Sequence, residues 1–188
     1  RGLSGVQDPV FTERYSLQRG DYDRGVIDSR EYWIRVMDSG RTTADPELLR
    51  NLFEEDTASW TRINDAVLRW AFALQRAGMR TGILSNMPRD ILHRIETRFD
   101  WFDRFEVRIF SCDVGVKKPE PPIYRACREA LGLQAGKILF LDDVLENVRG
   151  AETAGFRSLL FRSLEEARRQ IAENRWLPAE YMANRENR

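Results

Sequence analysis

A short apolar run, residues 138–141, ends in two adjacent acidic residues, Asp142 and Asp143, and limits the possible folds more than any other stretch. An apolar run of this length is typical of a strand buried on both faces of a parallel sheet. A helix-like segment follows at about residues 145–154. Because ligands bind at the carboxyl ends of the strands in open α/β sheets, the pattern places both acidic side chains where chemistry would occur.

Two neighbouring carboxylates repel each other unless a positive group shares their site. A hard divalent cation would remove this repulsion, and Mg²⁺ is the simplest candidate because it takes oxygen ligands and keeps some of its water molecules. The alternative is an ordinary solvated turn between a strand and a helix, with Asp143 near the start of the helix. This stretch alone leaves both interpretations open.

The sequence after Gly78 alternates short strands with helices. It predicts strands at residues 79–84, 107–110, 138–141 and 158–161, and helices at residues 88–97, 121–131, 145–154 and from residue 163 onwards. Such alternation implies right-handed βαβ units and a parallel sheet. We therefore predict an α/β fold, with a Rossmann-like core at residues 79–188 in which helices cover both faces of the sheet.

Residues 1–78 predict helices and turns without a strand. Three helices are expected: one capped by Asp28 and Ser29 that runs through Met37 and ends at Gly40, one begun by Asp45-Pro46-Glu47, and one from about Asn64 to Ala77 that Gly78 closes. The large aromatic residues near Trp60 and Trp70 are expected to pack between helices. The prediction is a small all-helical cap at residues 1–78, ahead of the core.

The composition argues against several classes of protein. Thirty basic and thirty acidic side chains cancel, whereas a nucleic-acid binder usually carries a basic surplus. No apolar stretch approaches the ~20 residues of a membrane-spanning helix, so no membrane partner is expected. His93 is the single histidine and Cys112 and Cys127 are the only cysteines, which leaves little for zinc or serine–histidine chemistry. Both cysteines are expected to pack in the protein, His93 is assigned no role, and a reducing, cytoplasmic setting is the expectation.

Two further polar groups follow predicted strands. The hydroxyl of Ser85 and the amide of Asn86 could donate hydrogen bonds to phosphoryl oxygens, although the same pair is common in turns. Lys118 precedes Pro119, which restricts its backbone. A lysine can neutralise a phosphate or a nucleophilic carboxylate, and a solvated lysine is the alternative.

Asn147 follows Asp143 by four residues, and a helix places such residues on one face. We expect Asn147 to lie back over the turn and to support a bound metal. Three polar groups thus follow predicted strands: the pair Ser85-Asn86, the lysine Lys118, and the pair Asp142-Asp143. We therefore expect Ser85, Lys118 and Asp143 to converge on one magnesium and phosphate pocket beneath a helical lid.

Three stretches resemble motifs of the haloacid dehalogenase superfamily, and the resemblance covers nearly the whole chain. GILSN at residues 82–86 resembles the second motif, VGVKKPEPPIY at 114–124 the third, and ILFLDDVLENVRGAETAG at 138–155 the fourth. The similarity is to phosphatase-like members with a small helical cap, in subfamily I and in the branch of the N-terminal phosphatases of epoxide hydrolases. DYDRGVIDSREYW at residues 21–33 is similar to the first helical hairpin of such a cap.

The resemblance implies a role for each candidate residue. Ser85 would bind the phosphate with Asn86 beside it, Lys118 would be the matching lysine of the third motif, Asp143 would be the direct Mg²⁺ ligand, and Asp142 and Asn147 would support the metal and its loop. The implied activity is hydrolysis of a small phosphorylated molecule through an aspartyl-phosphate, with Mg²⁺ as cofactor. The cap would select the substrate, and Tyr22, Trp33 or Trp60 could face it; the oligomeric state stays open.

The first motif of the superfamily, an apolar strand that ends in Asp-x-Asp and supplies the nucleophile, has no match in the chain. Asp21-Tyr22-Asp23 has the letters but follows Arg19-Gly20 rather than a strand, and Asp8 before Pro9 is no better. The missing strand is the central one of this fold, between the strands that begin near residues 79 and 138. Its absence would leave two unpaired edges, which are unfavourable in a stable domain. We therefore expect the nucleophile in a segment upstream of residue 1.

Two other functions remain as alternatives. Haloacid dehalogenases of the same superfamily attack carbon and need no metal, but their fourth motif lacks the paired aspartates that the resemblance identifies at Asp142 and Asp143. The chain could also be a non-catalytic binding module that has lost its nucleophile. The coding sequence upstream distinguishes this module from the enzyme.

Overall fold

The computed structural model describes residues 9–37, 45–178 and Tyr181. Over these ranges the helices are α1 (Pro9–Asp23), α2 (Ser29–Met37), α3 (Pro46–Trp60), α4 (Asp65–Arg76), α5 (Arg89–Arg98), α6 (Ser111–Val114), α7 (Pro121–Leu131), α8 (Leu145–Thr153) and α9 (Leu164–Glu173). The strands are β1 (Gly82–Ser85), β2 (Val107–Phe110), β3 (Leu139–Asp142) and β4 (Arg157–Leu160). Two 3₁₀ helices span Asp100–Arg104 and Ala135–Lys137. The predictions on Asp8 and Gly40 lie outside the described residues.

Side-chain caps fix the starts of four helices, at residues where the sequence predicts a start. In each case a side-chain oxygen accepts a hydrogen bond from a backbone N–H two or three residues later, which satisfies one of the unpaired donors of the first turn. The capping residues are Asp28 for α2, Asp45 for α3, Asn64 for α4 and Ser163 for α9.

Strand β1 begins three residues later than predicted, because residues 79–81 remain tied to the end of α4. The Met79 N–H donates to the carbonyl of Leu74 at 3.0 Å, and the Gln75 amide donates to the Thr81 hydroxyl at 2.6 Å. Smaller differences concern β3, which extends to include Asp142, and β4, which begins one residue earlier than predicted.

The strands form two pairs, β1 with β2 and β3 with β4. The β3–β4 pair is parallel, with Leu139 opposite Arg157 and Asp142 opposite Leu160. Within the described ranges no ladder joins one pair to the other. Parallel pairing of strands that flank a helix is the arrangement expected of βαβ units, so the predicted α/β class is confirmed.

The contacts divide the chain into two compact units. The first comprises Arg1–Ile63, Leu84–Phe105 and Ile109–Lys117, and the second comprises Asn64–Ile83, Glu106–Arg108 and Lys118–Arg188. The predicted boundary near residue 78 stays a prediction.

An aromatic cluster forms the core of the first unit, where α1 packs on α2 and α2 on α3. Tyr22 stacks on Tyr32 with ring centroids 4.4 Å apart, and Trp33 is fully buried beside them. The Arg19 guanidinium lies over the rings of Tyr22 and Trp60, at 5.4 and 5.0 Å from their centroids. Tyr22 and Trp33, two candidates for substrate contact, therefore contribute to this core.

The core of the second unit lies between the β3–β4 pair and the helices α7 and α8. Apolar side chains from all four elements, and from the residue just before β4, are buried there: Ile123, Tyr124, Phe140, Val148, Phe156 and Leu159. The Tyr124 ring meets both Phe140 and Phe156 edge-on, with centroids 5.9 Å apart in each case. This packing fixes α7 and α8 against β3, whose last residue is Asp142.

Candidate active site

Strand β3 alternates half-buried and buried side chains, so that Phe140 and Asp142 point to the buried side. Asp142 is 8% exposed, and both of its carboxylate oxygens are used inside the protein. One oxygen, Oδ2, lies 2.6 Å from Nζ of Lys118. The other, Oδ1, accepts hydrogen bonds from the backbone N–H of Val144 at 2.9 Å and from the Asn147 amide at 3.0 Å.

Lys118 lies in the loop before α7, and its peptide bond to Pro119 is cis. It is 8% exposed, and its ammonium group also lies 5.5 Å from the centroid of the Phe140 ring. A buried charge is tolerated when it is paired and hydrogen-bonded, and the Asp142 carboxylate meets this requirement. The ion pair therefore fixes the position of a positive charge beside the end of β3.

Asn147 reaches the site from the first turn of α8. Its side-chain amide donates to Asp142, and its backbone carbonyl accepts a hydrogen bond from Tyr124 Oη at 2.7 Å. Burial raises the pKa of Tyr124, and the charge of Asp142 raises it further. The phenol is therefore a stable donor that ties α7 to α8.

Gly150 allows α8 to approach the Lys118 loop closely. A Cβ atom at Gly150 would lie 2.8 Å from Tyr124 Oη and 2.9 Å from both Cβ and the carbonyl oxygen of Pro119. A glycine inside a helix is unfavourable unless packing requires it, so its presence in α8 was a signal of this contact. Tyr124 and Gly150 are supporting residues that the motif reasoning missed.

Asp143 differs from Asp142 both in its exposure to solvent and in its lack of a described partner. Its side chain is exposed, and no described residue donates a hydrogen bond to its carboxylate or forms an ion pair with it. Lys118 neutralises the charge of Asp142, whereas no described cation neutralises the negative charge of Asp143 at the end of β3. This carboxylate is available to a cation from solvent, and the paired Asp142 is not.

The described ranges contain no group of three or more His, Cys, Asp or Glu side chains arranged to hold a metal ion. A protein cage for a metal is therefore not formed by these residues. Mg²⁺ does not need such a cage, because one or two carboxylates, substrate phosphate oxygens and water can complete its six ligands. The oxygen donors at the end of β3 are compatible with a magnesium ion that is shared with a substrate.

Cys127 lies on α7 and is buried. Burial raises the pKa of its thiol to about 11, although the charge of Lys118 lowers it in part. Burial likewise raises the pKa of the Cys112 thiol to about 11. Both residues are thus thiols rather than thiolates near neutral pH, which agrees with the packing role predicted for them. His93 is exposed on α5.

Ser85 and Asn86 belong to the first unit, whereas Lys118, Asp142, Asp143 and Asn147 belong to the second. Ser85 is the last residue of β1, and both it and Asn86 are half-buried. The structure brings Lys118, Asp142 and Asn147 together. Convergence of Ser85 on this cluster stays a prediction.

Asp21-Tyr22-Asp23 lies at the end of α1 and not at the end of a strand. Tyr22 is 1% exposed, and the Asp23 carboxylate accepts a hydrogen bond from Arg19 at 2.9 Å. Burial raises the pKa of Asp23, and Arg19 opposes this effect. A helical, buried and paired aspartate is poorly placed to act as a nucleophile, in agreement with the prediction.

The family model of haloacid dehalogenase-like hydrolases matches residues 8–155. The chain is a member of this family. The haloacid dehalogenase-like chain is 29% identical over 154 residues to bifunctional epoxide hydrolase 2 of Rattus norvegicus, an alignment that covers 74% of this chain and 27% of the rat protein. It is 27% identical over 111 residues to the N-acetylmuramic acid 6-phosphate phosphatase of Pseudomonas aeruginosa, which covers 58% of this chain and 49% of that protein.

The haloacid dehalogenase-like chain therefore spans about a quarter of the length of the epoxide hydrolase and half that of the phosphatase. A solved structure of a HAD family enzyme from Bacteroides thetaiotaomicron has a TM-score of 0.67 at 21% identity, covering 90% of this chain and 85% of that one. The predictions of the superfamily and of the Rossmann-like α/β fold are confirmed, and the matched family is one of hydrolases, in agreement with the prediction of an enzyme. None of the described helices is both long and apolar enough to cross a membrane.

Proposed function

We propose that this chain forms part of a Mg²⁺-dependent phosphatase that hydrolyses a small-molecule phosphomonoester through an aspartyl-phosphate. The observation that carries the proposal is the contrast between the two acids at the end of β3: Asp142 is buried and paired with Lys118, and Asp143 is exposed. The similarity to the N-acetylmuramic acid 6-phosphate phosphatase of Pseudomonas aeruginosa supports the proposal. A further crystal structure of the Bacteroides enzyme, in complex with magnesium and inorganic phosphate, has a TM-score of 0.61.

Asp143 would hold the magnesium ion, with Asp142 and Asn147 supporting the loop that carries it. When bound, the ion would offset the negative charge that develops on the phosphoryl oxygens. Lys118 would place a second positive charge beside the phosphoryl group, and the ion pair with Asp142 would keep that charge in a fixed direction. Groups held rigidly in this way lose little entropy when the substrate binds.

Ser85 and Asn86 would donate hydrogen bonds to the phosphoryl oxygens, as their match to the second motif suggests. A hydroxyl and an amide bind these oxygens without adding charge. The nucleophilic aspartate would come from a segment upstream of residue 1. Two observations support this assignment: Asp21-Tyr22-Asp23 is helical, and no ladder joins the two strand pairs of the described chain.

The test is Asp143→Asn in the full-length protein, assayed with an aryl phosphate over a range of Mg²⁺ concentrations. We expect turnover to fall by at least about 100-fold, because the metal loses a charged ligand. The free energy of unfolding in urea should be unchanged, since the side chain is exposed and forms no hydrogen bond or ion pair with a described residue. Glu146→Gln, which removes an exposed carboxylate three residues away in α8, is the matched control and should retain full activity.

Full magnesium-dependent turnover in Asp143→Asn would refute the assignment of this residue. Halide release from a 2-haloacid in the presence of a chelator would point instead to the metal-independent dehalogenase. Binding of inorganic phosphate by the wild-type protein without any turnover would point to the non-catalytic module.

A further inference from the structure

The hydroxyl of Ser111 connects two parts of the first unit that are far apart in sequence. Ser111 is fully buried at the start of α6. Its Oγ accepts a hydrogen bond from the backbone N–H of Met87 at 2.8 Å and donates one to the backbone carbonyl of Asp23 at 2.5 Å. A serine hydroxyl has one proton to donate, and that proton is used here.

Met87 lies just after Ser85 and Asn86, the residues proposed to bind phosphate, and it is followed by the buried Pro88. The backbone of residues 87–88 is therefore held from both sides, by burial and by the Ser111 hydroxyl. Because residues 85–87 are consecutive, the position of the Met87 N–H limits where the two preceding side chains can point.

The other partner, Asp23, is the last residue of α1. The final carbonyls of a helix lack partners within it, and those of Gly20, Asp21 and Tyr22 are satisfied by the turn that follows. The Asp23 carbonyl accepts its hydrogen bond from Ser111 instead. The hydroxyl thus completes the C-terminal cap of α1.

The turn after α1 packs closely on the same segment. Gly25 has a positive φ of 70°, and a Cβ atom there would lie 3.1 Å from the carbonyl oxygen of Cys112. Gly20 contacts the same region, where a Cβ atom would lie 3.8 Å from Cε of Lys117. The turn after α1 thus packs on α6 independently of the Ser111 hydrogen bonds, and α1 itself also contacts α6.

We infer that Ser111 is a positioning residue that couples the phosphate-binding loop at residues 85–88 to the end of α1 in the helical hairpin. Its effect on phosphate binding rests on the proposed function, whereas the link between the two segments does not. When the hairpin end is packed on α6, the hydroxyl holds the loop in its phosphate-binding conformation. A change that increases the mobility of the end of α1 therefore increases the mobility of residues 85–88, and the reverse holds as well.

The test compares Ser111→Ala with Ser158→Ala in the full-length protein. Ser158 is the matched control because its hydroxyl oxygen is also buried but has no hydrogen-bond partner. Hydrogen–deuterium exchange should show faster exchange in both segments, residues 20–28 and 84–90, for Ser111→Ala and in neither for Ser158→Ala. Gly25→Ala, which disturbs the hairpin end without touching Ser111, should accelerate exchange at residues 84–90 as well.

Kinetics provide the second readout. Loss of the hydrogen bond should raise both KM for an aryl phosphate and the dissociation constant for inorganic phosphate about tenfold, with kcat changed about threefold at most. A residue that only stabilised the fold would lower the active fraction, and hence kcat, without changing either constant.

Faster exchange in one segment alone, or unchanged KM and phosphate affinity in an active enzyme, would overturn the inference. The variants could show the coupled exchange while the wild-type protein hydrolyses no aryl phosphate. That result would retain the link through Ser111 and refute the phosphatase proposal.

Discussion

Asp142 and Lys118 carry opposite charges in a place where water cannot reach either of them well. Their side chains are 6% and 9% exposed, and their charged atoms are 2.6 Å apart. A pair of this kind adds little net stability over an apolar pair, since both groups lose their hydration. Removing one partner is a different matter, because the remaining charge stays buried without compensation.

Lys118→Met should therefore destabilise the protein by about 3–5 kcal/mol, measured as the free energy of unfolding in urea. The double variant Lys118→Met with Asp142→Asn should recover most of this loss, because it leaves no buried charge and Asn can still accept the hydrogen bond from Val144. Lys137→Met, at an exposed lysine of the second unit, is the control. A double variant less stable than Lys118→Met would contradict this account.

The sequence identified the residues of this cluster but not their partners. Lys118 was expected to meet a phosphate or a nucleophilic carboxylate, and its partner in the structure is Asp142, 24 positions later. A contact at that separation depends on how the Lys118 loop folds against β3, and no local pattern records it. Asn147 illustrates the same limit: its helical spacing placed it back over the turn, but no pattern identified the Asp142 carboxylate as the acceptor of its amide.

At the scale of elements, the fit between α8 and the Lys118 loop depends on Gly150. Gly150→Ala would gain about 1 kcal/mol in helix propensity if the site were open. The new methyl group would instead meet Pro119 and the Tyr124 hydroxyl at less than 3 Å. We expect a net loss of about 1–3 kcal/mol in the free energy of unfolding, together with lower turnover, because α8 and the loop must separate.

Gly136→Ala is the control for this prediction, since a Cβ atom there has no neighbour within 4 Å among the described residues. Both variants are compared by urea unfolding with the same probe. Equal stability of the two variants would show that α8 can move without cost.

Elements with a strong local signal were predicted well, and those without one were not. Helix α7 and strand β2 have the predicted bounds, because Pro121 and a run of β-branched and aromatic residues mark them. Helix α1 was not predicted as a separate element. Its only buried residues are Tyr22 and Asp23, so it lacks the apolar period that identifies a helix, and its packing on α2 stabilises it.

At the scale of the whole molecule, the two strand pairs lead to a prediction about the gene. In the described chain each pair keeps an edge that no other strand covers, which is a site for pairing with a further strand. We expect the coding sequence upstream of residue 1 to encode a short apolar strand that ends in Asp-x-Asp. Replacing the first of these aspartates by Asn in the full-length protein should abolish aryl phosphate hydrolysis.

The contradicting result would be an active full-length protein in which no such strand is encoded.

The comparisons define the family at this scale but leave the substrate open, because the chain spans 27% of the rat epoxide hydrolase. The family and the fold class followed from the motifs, whereas the arrangement of the first unit depends on contacts between segments distant in sequence.

The opposite environments of Asp142 and Asp143 have an evolutionary consequence. Loss of the first acid removes the carboxylate that neutralises a buried lysine, so such a mutant is expected to be less stable and more readily degraded. Loss of the second acid, which is exposed, is expected to leave folding unchanged. Under the role proposed for Asp143, a single codon change could therefore convert an active protein into a pseudoenzyme that still folds, and a comparison based on shape alone would not tell the two apart.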